Sequence, residues 1–159
     1  YVGLGANLGN PDEQLRRALK ELNDSPGVRV ESVSSFYRSA PLSAHGVIDT
    51  TQPAYVNAVA CLATTLAPAV LLHQLLAIER EGGRVRSVPN AARTIDLDLL
   101  LYDQVSLTTA LLSLPHPRMH ARRFVLEPLL EIAPAIEIPG HGSAARLLVA
   151  TRSQSLERI

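Results

Sequence analysis

From Arg93 to Leu101 the chain reads RTIDLDLLL, alternating apolar and polar residues and then turning wholly apolar. Such a run predicts a strand buried near the middle of a sheet, because successive strand side chains point to opposite faces. Ile95, Leu97, Leu99 and Leu101 then face a core, while Asp96 and Asp98 share the other side. Residues two apart on one face lie roughly 6.5–7 Å apart at Cα, and carboxylates that close repel unless a cation sits between them. Two hard divalent ions about 3.5–4 Å apart suit that gap. Just upstream, Arg84, Arg86 and Arg93 supply permanent positive charge. Carboxylates that hold metal, set beside guanidinium forks, are what a polyphosphate needs. A bare D-x-D is otherwise a solvated strand edge with surface salt bridges. The arginine-rich loop and the burial expected of this strand oppose that alternative.

Composition narrows the class. At 159 residues the chain is expected to form one domain, residues 1–159, with ample length for a core. A hydrophobic share of 47% argues against disorder, yet no apolar run is long enough to span a membrane. Fifteen basic and fifteen acidic residues cancel, which argues against a general nucleic-acid or anionic-membrane binder and makes the arginine cluster a local field. The single cysteine, Cys61, excludes an intramolecular disulfide and a multi-cysteine zinc site and reads as a small core residue. No signal peptide or tail signal is seen, so a cytoplasmic protein is expected. The chain begins at Tyr1 without a methionine, which suggests that a short N-terminal piece is missing.

Taken in order, Tyr1–Gly5 reads as a short first strand whose glycines imply close approach of a backbone or ligand. Asn10-Pro11-Asp12-Glu13 opens a helix as N-cap, first-turn proline and capping acid, with Leu15, Ala18, Leu19 and Leu22 as its buried stripe. Val28–Tyr37 reads as a second strand. The long polar connection from Ser39 to Pro53 reads as a structureless binding loop or lid. In a third strand, Ala54–Thr64, Tyr55 and Asn57 share a face with Val59 and Cys61, and an aromatic ring beside an amide suits a planar heterocycle. The plainer reading of that pair is a core tyrosine with a hydrogen-bonded asparagine at a strand end. A second helix runs from Pro68 to about Glu81, and Glu79 in its last turn needs a positive neighbour against the helix dipole, either Arg84 or a ligand's hydroxyls. A short strand near Val105–Leu107, a turn at Pro115–Met119, an apolar helix ending near Ile132, a final short helix after Ser143 and a frayed tail from Ser153 complete the chain. The class is α+β: a ferredoxin-like βαββαβ antiparallel sheet with an additional C-terminal strand and helices, in three α/β/α layers.

Seven stretches in order carry a family resemblance: Gly5-Ala6-Asn7-Leu8-Gly9, Ser35-Phe36-Tyr37-Arg38, Pro53-Ala54-Tyr55-Val56-Asn57, Gly83-Arg84-Val85-Arg86, Arg93-Thr94-Ile95-Asp96-Leu97-Asp98, Pro115-His116 and Arg122-Arg123-Phe124. They resemble the 6-hydroxymethyl-7,8-dihydropterin pyrophosphokinases of folate biosynthesis. The resemblance implies transfer of pyrophosphate from ATP to the pterin's hydroxymethyl oxygen, with release of AMP. It implies two Mg²⁺ on Asp96 and Asp98, and phosphate contacts and transition-state stabilisation from Arg84 and Arg93. Arg86, His116 and Arg122 become further nucleotide contacts, with Glu79 and Leu99 against the nucleoside. The pterin is expected between Tyr55 and Phe124, its edge read by Asn57 and by the backbone of Ala40 and Leu42, with Asp96 near its hydroxyl. Only small-molecule partners are implied, and a monomer is expected.

The chain departs from that family in places. Ser87–Ala92 lacks an Arg-Trp and a Gly-Pro carried by many relatives, so that loop is expected to order weakly over ATP while Arg84, Arg86 and Arg93 keep the phosphates. Pro117 replaces a frequent aromatic, and Leu111 stands where some relatives have arginine. His45, His73, His120 and His141 match no motif and read as surface or helix residues. Two other classes share the topology. A non-catalytic ligand-binding module has no use for D-x-D beside three arginines. A nucleic-acid-binding domain needs exposed aromatics and a basic surface, against four tyrosines, two phenylalanines and no net charge here.

Overall fold

The computed structural model describes residues 1–43, 45–83 and 94–159. The first helix forms where its signals lie. In α1 (Pro11–Asp24) the Asn10 side chain accepts the Glu13 amide at 3.4 Å, proline occupies the first turn, and Leu15, Ala18 and Leu22 are buried. α2 (Pro68–Glu81) also opens on proline and buries Leu71, Leu75 and Ile78.

β1 (Val2–Ala6) precedes α1, β2 (Val28–Val33), β3 (Tyr37–Ser39) and β4 (Tyr55–Thr64) lie between the two helices in the chain, and β5 (Asp96–Leu99) follows α2. All pair antiparallel. β1 lies between β4 and β5, while β2 and β3 pair with opposite halves of β4. This is the expected ferredoxin-like sheet. Val2, Leu4, Val56, Ala58, Leu97 and Leu99 face α1 and α2 in one core. Val59, Leu100 and Leu101 form a second core on the opposite side with α3 (Arg123–Ile132) and α4 (Ala144–Ala150). Between β5 and α3 lie a short hairpin, β6 (Leu107–Thr108) with β7 (Ser113–Leu114), and a 3-10 turn at Met119–Ala121. A second hairpin, β8 (Glu137–Ile138) with β9 (Gly142–Ser143), leads into α4. No helix among the described residues is long and apolar enough to cross a membrane.

The structure departs from the sequence expectations in four places. The strand expected over Val28–Tyr37 is broken, because Ser34 bonds both polar groups of Val59, its amide donating to the carbonyl at 2.9 Å and its hydroxyl accepting the amide at 3.0 Å. Among the described residues β5 lies at the sheet's edge rather than its middle, since the order β10 (Leu156–Arg158), β3, β4, β1, β5 leaves it β1 as its one neighbour. The connection after Ser39 is not structureless. Leu42 bridges Ile48, the Asp49 amide donates to the Pro41 carbonyl at 2.9 Å, and the buried Asn7 amide ties Pro53 and Gln52 to the end of β1. The tail is no fray either. β10 (Leu156–Arg158) pairs with β3, and the Gln154 side chain accepts the Arg123 amide at the start of α3. Two smaller findings concern side chains. Cys61 is only partly buried, and His120 stacks on His141 with ring centroids 4.0 Å apart.

Helix α3 is clasped to the sheet by one carboxylate. Glu131 accepts the Tyr37 hydroxyl at 2.6 Å, the Ser35 amide at 2.9 Å and the Ser35 hydroxyl at 2.7 Å. Burial, and then the bond to Glu131, push the Tyr37 phenol up to about 12. Burial alone would raise the Glu131 carboxyl, but the bonds from Tyr37 and Ser35 outweigh it and hold it below its ordinary value. A depressed carboxylate stabilises the fold above its unfolded pKa, and that contribution is lost as pH falls through the folded one. The raised phenol acts at the other end, its share present below 10.0 and lost as pH rises through about 12. Tyr37→Phe is therefore expected to cost about 1–2 kcal/mol at neutral pH. The deficit should shrink on acidification, as pH falls through the depressed Glu131 pKa and the carboxylate protonates. Denaturant melts across pH measure this, and a deficit that does not change on acidification contradicts it.

Candidate active site

Strand register brings the singled-out residues into rows across the sheet. Tyr37 pairs with Asn57, Asn57 with Gly5, and Gly5 with Asp96. In the next row Val59 pairs with Gly3 and Gly3 with Asp98. Leu4, Val56 and Leu97 occupy the α1/α2 core, so alternation turns Tyr55, Asn57, Gly3, Gly5, Asp96 and Asp98 together to the opposite face. The glycines have a use there. Gly5 puts no side chain of its own between Asn57 and Asp96, and a methyl group there would lie 3.4 Å from Asn57 Oδ1, while at Gly3 a methyl group would meet the Leu100 side chain at 3.5 Å. Helix α3 covers the neighbouring part of this face, with Phe124 packed against the second core and the Arg122 guanidinium 5.4 Å from the Phe124 ring centroid.

His116 closes the carboxylate side. Its amide donates to the Leu100 carbonyl at 2.8 Å, and its Nδ1 accepts the Arg118 amide at 3.1 Å. Burial first, then the positive charges of Arg122 and Arg118, lower its pKa to about 4. The ring is thus neutral near pH 7, and with Nδ1 accepting, the proton resides on Nε2. That nitrogen stands 3.9 Å from Asp98 Oδ2. Beside the pair opens a cleft of about 420 Å³, lined by Leu72 and Leu76 of α2, Leu97–Leu99, Thr109–Ser113, His116 and Pro117. Sequence reasoning did not single out Leu76, Thr109, Ala110 or Ser113. Nothing in their types signals a site, because fold alone brings them together.

Glu79 is buried and its Oε1 accepts the Leu97 amide at 2.8 Å. This backbone N–H supplies a partner at the negative end of α2, and Arg84, the neighbour expected there, lies outside the described residues. The same bond also explains how an edge strand stays buried, since the N–H between Asp96 and Asp98 is satisfied from the helix. Leu99 is buried in the first core and also lines the cleft. Ala40 and Leu42 open the tied connection at the β3 end of the sheet. Arg84, Arg86, Arg93 and the loop 87–92 lie outside the described residues.

Residues 1–134 match the family model described as 7,8-dihydro-6-hydroxymethylpterin-pyrophosphokinase. The chain belongs to this family. It is a pyrophosphoryl transferase of folate biosynthesis. Relatives named 2-amino-4-hydroxy-6-hydroxymethyldihydropteridine pyrophosphokinase include one from Pseudomonas aeruginosa, 44% identical over all of this chain and 95% of its own length. Another, from Haemophilus influenzae, is 45% identical over 87% of this chain and 84% of its own. Among solved structures, that of the Plasmodium falciparum HPPK-DHPS protein superposes with a TM-score of 0.68 at 14% identity. It covers 96% of this pyrophosphokinase, which spans 43% of that longer chain, and the likeness is one of fold.

Proposed function

We propose that this pyrophosphokinase draws its pyrophosphoryl group from ATP, with Mg²⁺ held by Asp96 and Asp98, and acts as a cytoplasmic monomer through one domain. The observation that carries the reading is the shared sheet face: two carboxylates on β5, a glycine floor, then the Asn57 amide and the Tyr55 ring on β4. Among the described residues no three metal-ligating side chains converge, so the protein offers two carboxylates and no closed cage. That donor set fits Mg²⁺, which keeps several waters and takes the rest of its ligands from substrate phosphates. Bound there, the ions would neutralise charge on the triphosphate as the β-phosphorus is attacked.

The chain's own residues do the remaining work. The cleft beside Asp98 and His116 receives the nucleoside against Leu72, Leu76 and Leu99, which directs the triphosphate toward the carboxylates. The Nε2–H of neutral His116 donates to a phosphate oxygen without adding charge, and Arg122 adds a cation on the same side. Arg84, Arg86 and Arg93 hold further phosphate oxygens, and Glu79 keeps β5 in place from beneath. Tyr55 and Phe124 stack on the pterin, while Asn57 and the backbone of Ala40 and Leu42 read its edge. The hydroxymethyl oxygen then forms a bond to the β-phosphorus, its proton passing to water, as the bond from the β-phosphorus to the AMP oxygen breaks and AMP leaves with that oxygen. This is catalysis by positioning and charge.

Tyr55→Ala and Phe124→Ala are expected to weaken pterin binding by about 1–3 kcal/mol each, the range for stacking on a base-like ring. ATP affinity should change little. Calorimetry with each substrate tests this, and lost ATP binding with unchanged pterin binding would overturn the assignment of the face.

A further inference from the structure

We propose that Gln154 is a positioning residue for nucleotide binding: its side-chain amide grips the chain on both sides of Arg122 and so sets the direction in which the Arg122 guanidinium leaves it. The inference deepens the reading above, and rests on it for the role of Arg122 beside the phosphates.

Arg122 occupies a position that arginine suits poorly. It is the N-cap residue of α3, with φ −118° and ψ 110°, and its side chain makes no capping bond. Asparagine, aspartate, serine or threonine would accept a helix N–H from there, whereas a guanidinium can only donate. Its charge is also disfavoured at the positive end of the helix dipole. An arginine here costs stability, which fits a side chain committed to an anionic ligand.

Gln154 supplies what Arg122 lacks. Its Oε1 accepts the Arg123 amide at 2.9 Å, one of the N–H groups that the first turn of α3 leaves open. Its Nε2 donates to the Ala121 carbonyl at 2.8 Å. Both partners are backbone groups of fixed polarity, so only one orientation of this amide satisfies them. The Ala121 carbonyl and the Arg123 N–H belong to the two peptide planes that flank the Arg122 Cα. Turning φ or ψ of Arg122 therefore breaks one of the two bonds. The clamp is held in return. Arg123 Nη1 donates to the Gln154 carbonyl at 2.8 Å and to the Arg152 carbonyl at 3.4 Å, while its Nε donates to Glu127 at 2.7 Å. The Gln154 amide donates to the Thr151 carbonyl at 2.9 Å. From this support the Arg122 guanidinium lies 5.4 Å from the Phe124 ring centroid, and its charge acts on His116 in the site. Phe124 is packed against the second core, so loss of the clamp falls on Arg122 rather than on the aromatic wall.

Calorimetry with Mg²⁺ and a non-hydrolysable ATP analogue tests this, with 6-hydroxymethylpterin titrated afterwards at saturating analogue. Gln154→Ala should weaken analogue binding about fivefold or more, the equivalent of one hydrogen bond's contribution. Pterin affinity should stay within about twofold. Gln154→Met keeps the length of the side chain without its amide and should lose as much as the alanine. In an Arg122→Ala background, Gln154→Ala should cost less than about twofold further, because it acts through the missing arginine. Unchanged analogue affinity in the Gln154 variants, equal loss of both ligands, or the full cost persisting in the Arg122→Ala background overturns the inference. Arg122→Ala alone tests the underlying reading: if it binds the analogue as before, Arg122 is not the nucleotide's cation. If Arg122→Ala weakens the analogue while Gln154→Ala does not, this inference alone fails. Should the Gln154 variants not fold, hydrogen exchange in the unaltered chain decides. Slow exchange of the Arg123 amide is expected, and fast exchange there overturns the clamp.

Discussion

Asp96→Ala and Asp98→Ala each lose about a thousandfold or more of turnover while the folding midpoint stays close to that of the unaltered chain. The asymmetry follows from the strand's period. Both carboxylates lie on the face of β5 opposite Leu97 and Leu99, so truncation removes charge at the site and leaves the α1/α2 core untouched. The Asp98 side chain is 38% exposed, and losing it opens no core cavity. Two like charges on adjacent positions of one face also repel, so removing one can leave stability unchanged or slightly higher. Asp→Asn at either position keeps the shape, removes the charge and should be nearly as inactive. Turnover across a Mg²⁺ titration, with a thermal melt of each variant, checks the prediction. Ordinary Mg²⁺-dependent turnover in either variant contradicts the metal assignment.

Glu79→Ala is expected to act on both stability and activity. It strands the Leu97 N–H at the outer edge of β5, a buried donor left without its 2.8 Å partner. The cost should be about 2–3 kcal/mol, or a fall of roughly 5–10 °C in Tm for a chain of this size. Leu97 lies between Asp96 and Asp98, so a loosened edge also misplaces both carboxylates and lowers kcat. Glu79→Gln retains an acceptor oxygen and should recover most of the stability. Calorimetric melts with hydrogen exchange at the Leu97 amide read both effects. An alanine variant with an unchanged melt and a protected Leu97 amide contradicts this role for Glu79.

Some of this was legible in the chain because local period and local chemistry dominate there. Alternation over Ile95–Leu99 is enough to turn both aspartates to one face, and the same period puts Tyr55 with Asn57. Asn10, Pro11 and Glu13 cap α1 through contacts no more than three residues apart. What escaped depends on partners distant in sequence. A short apolar strand reads as central whether its outer N–H groups meet another strand or a buried Glu79 eighteen positions away. The break after Val33 is made by Ser34 with Val59, and the order of the tail by Gln154 with Arg123. The cleft wall from Thr109 to Ser113 carries no distinctive residue type at all.

The central claim is that this sheet face directs pyrophosphoryl rather than phosphoryl transfer from ATP to the pterin. It is tested most directly by identifying the nucleotide product. Incubated with ATP, Mg²⁺ and 6-hydroxymethyl-7,8-dihydropterin, the protein should release one AMP for each pterin diphosphate formed, resolved by chromatography, and none when Mg²⁺ is chelated. Release of ADP in place of AMP, or AMP formation indifferent to the pterin, would contradict the account.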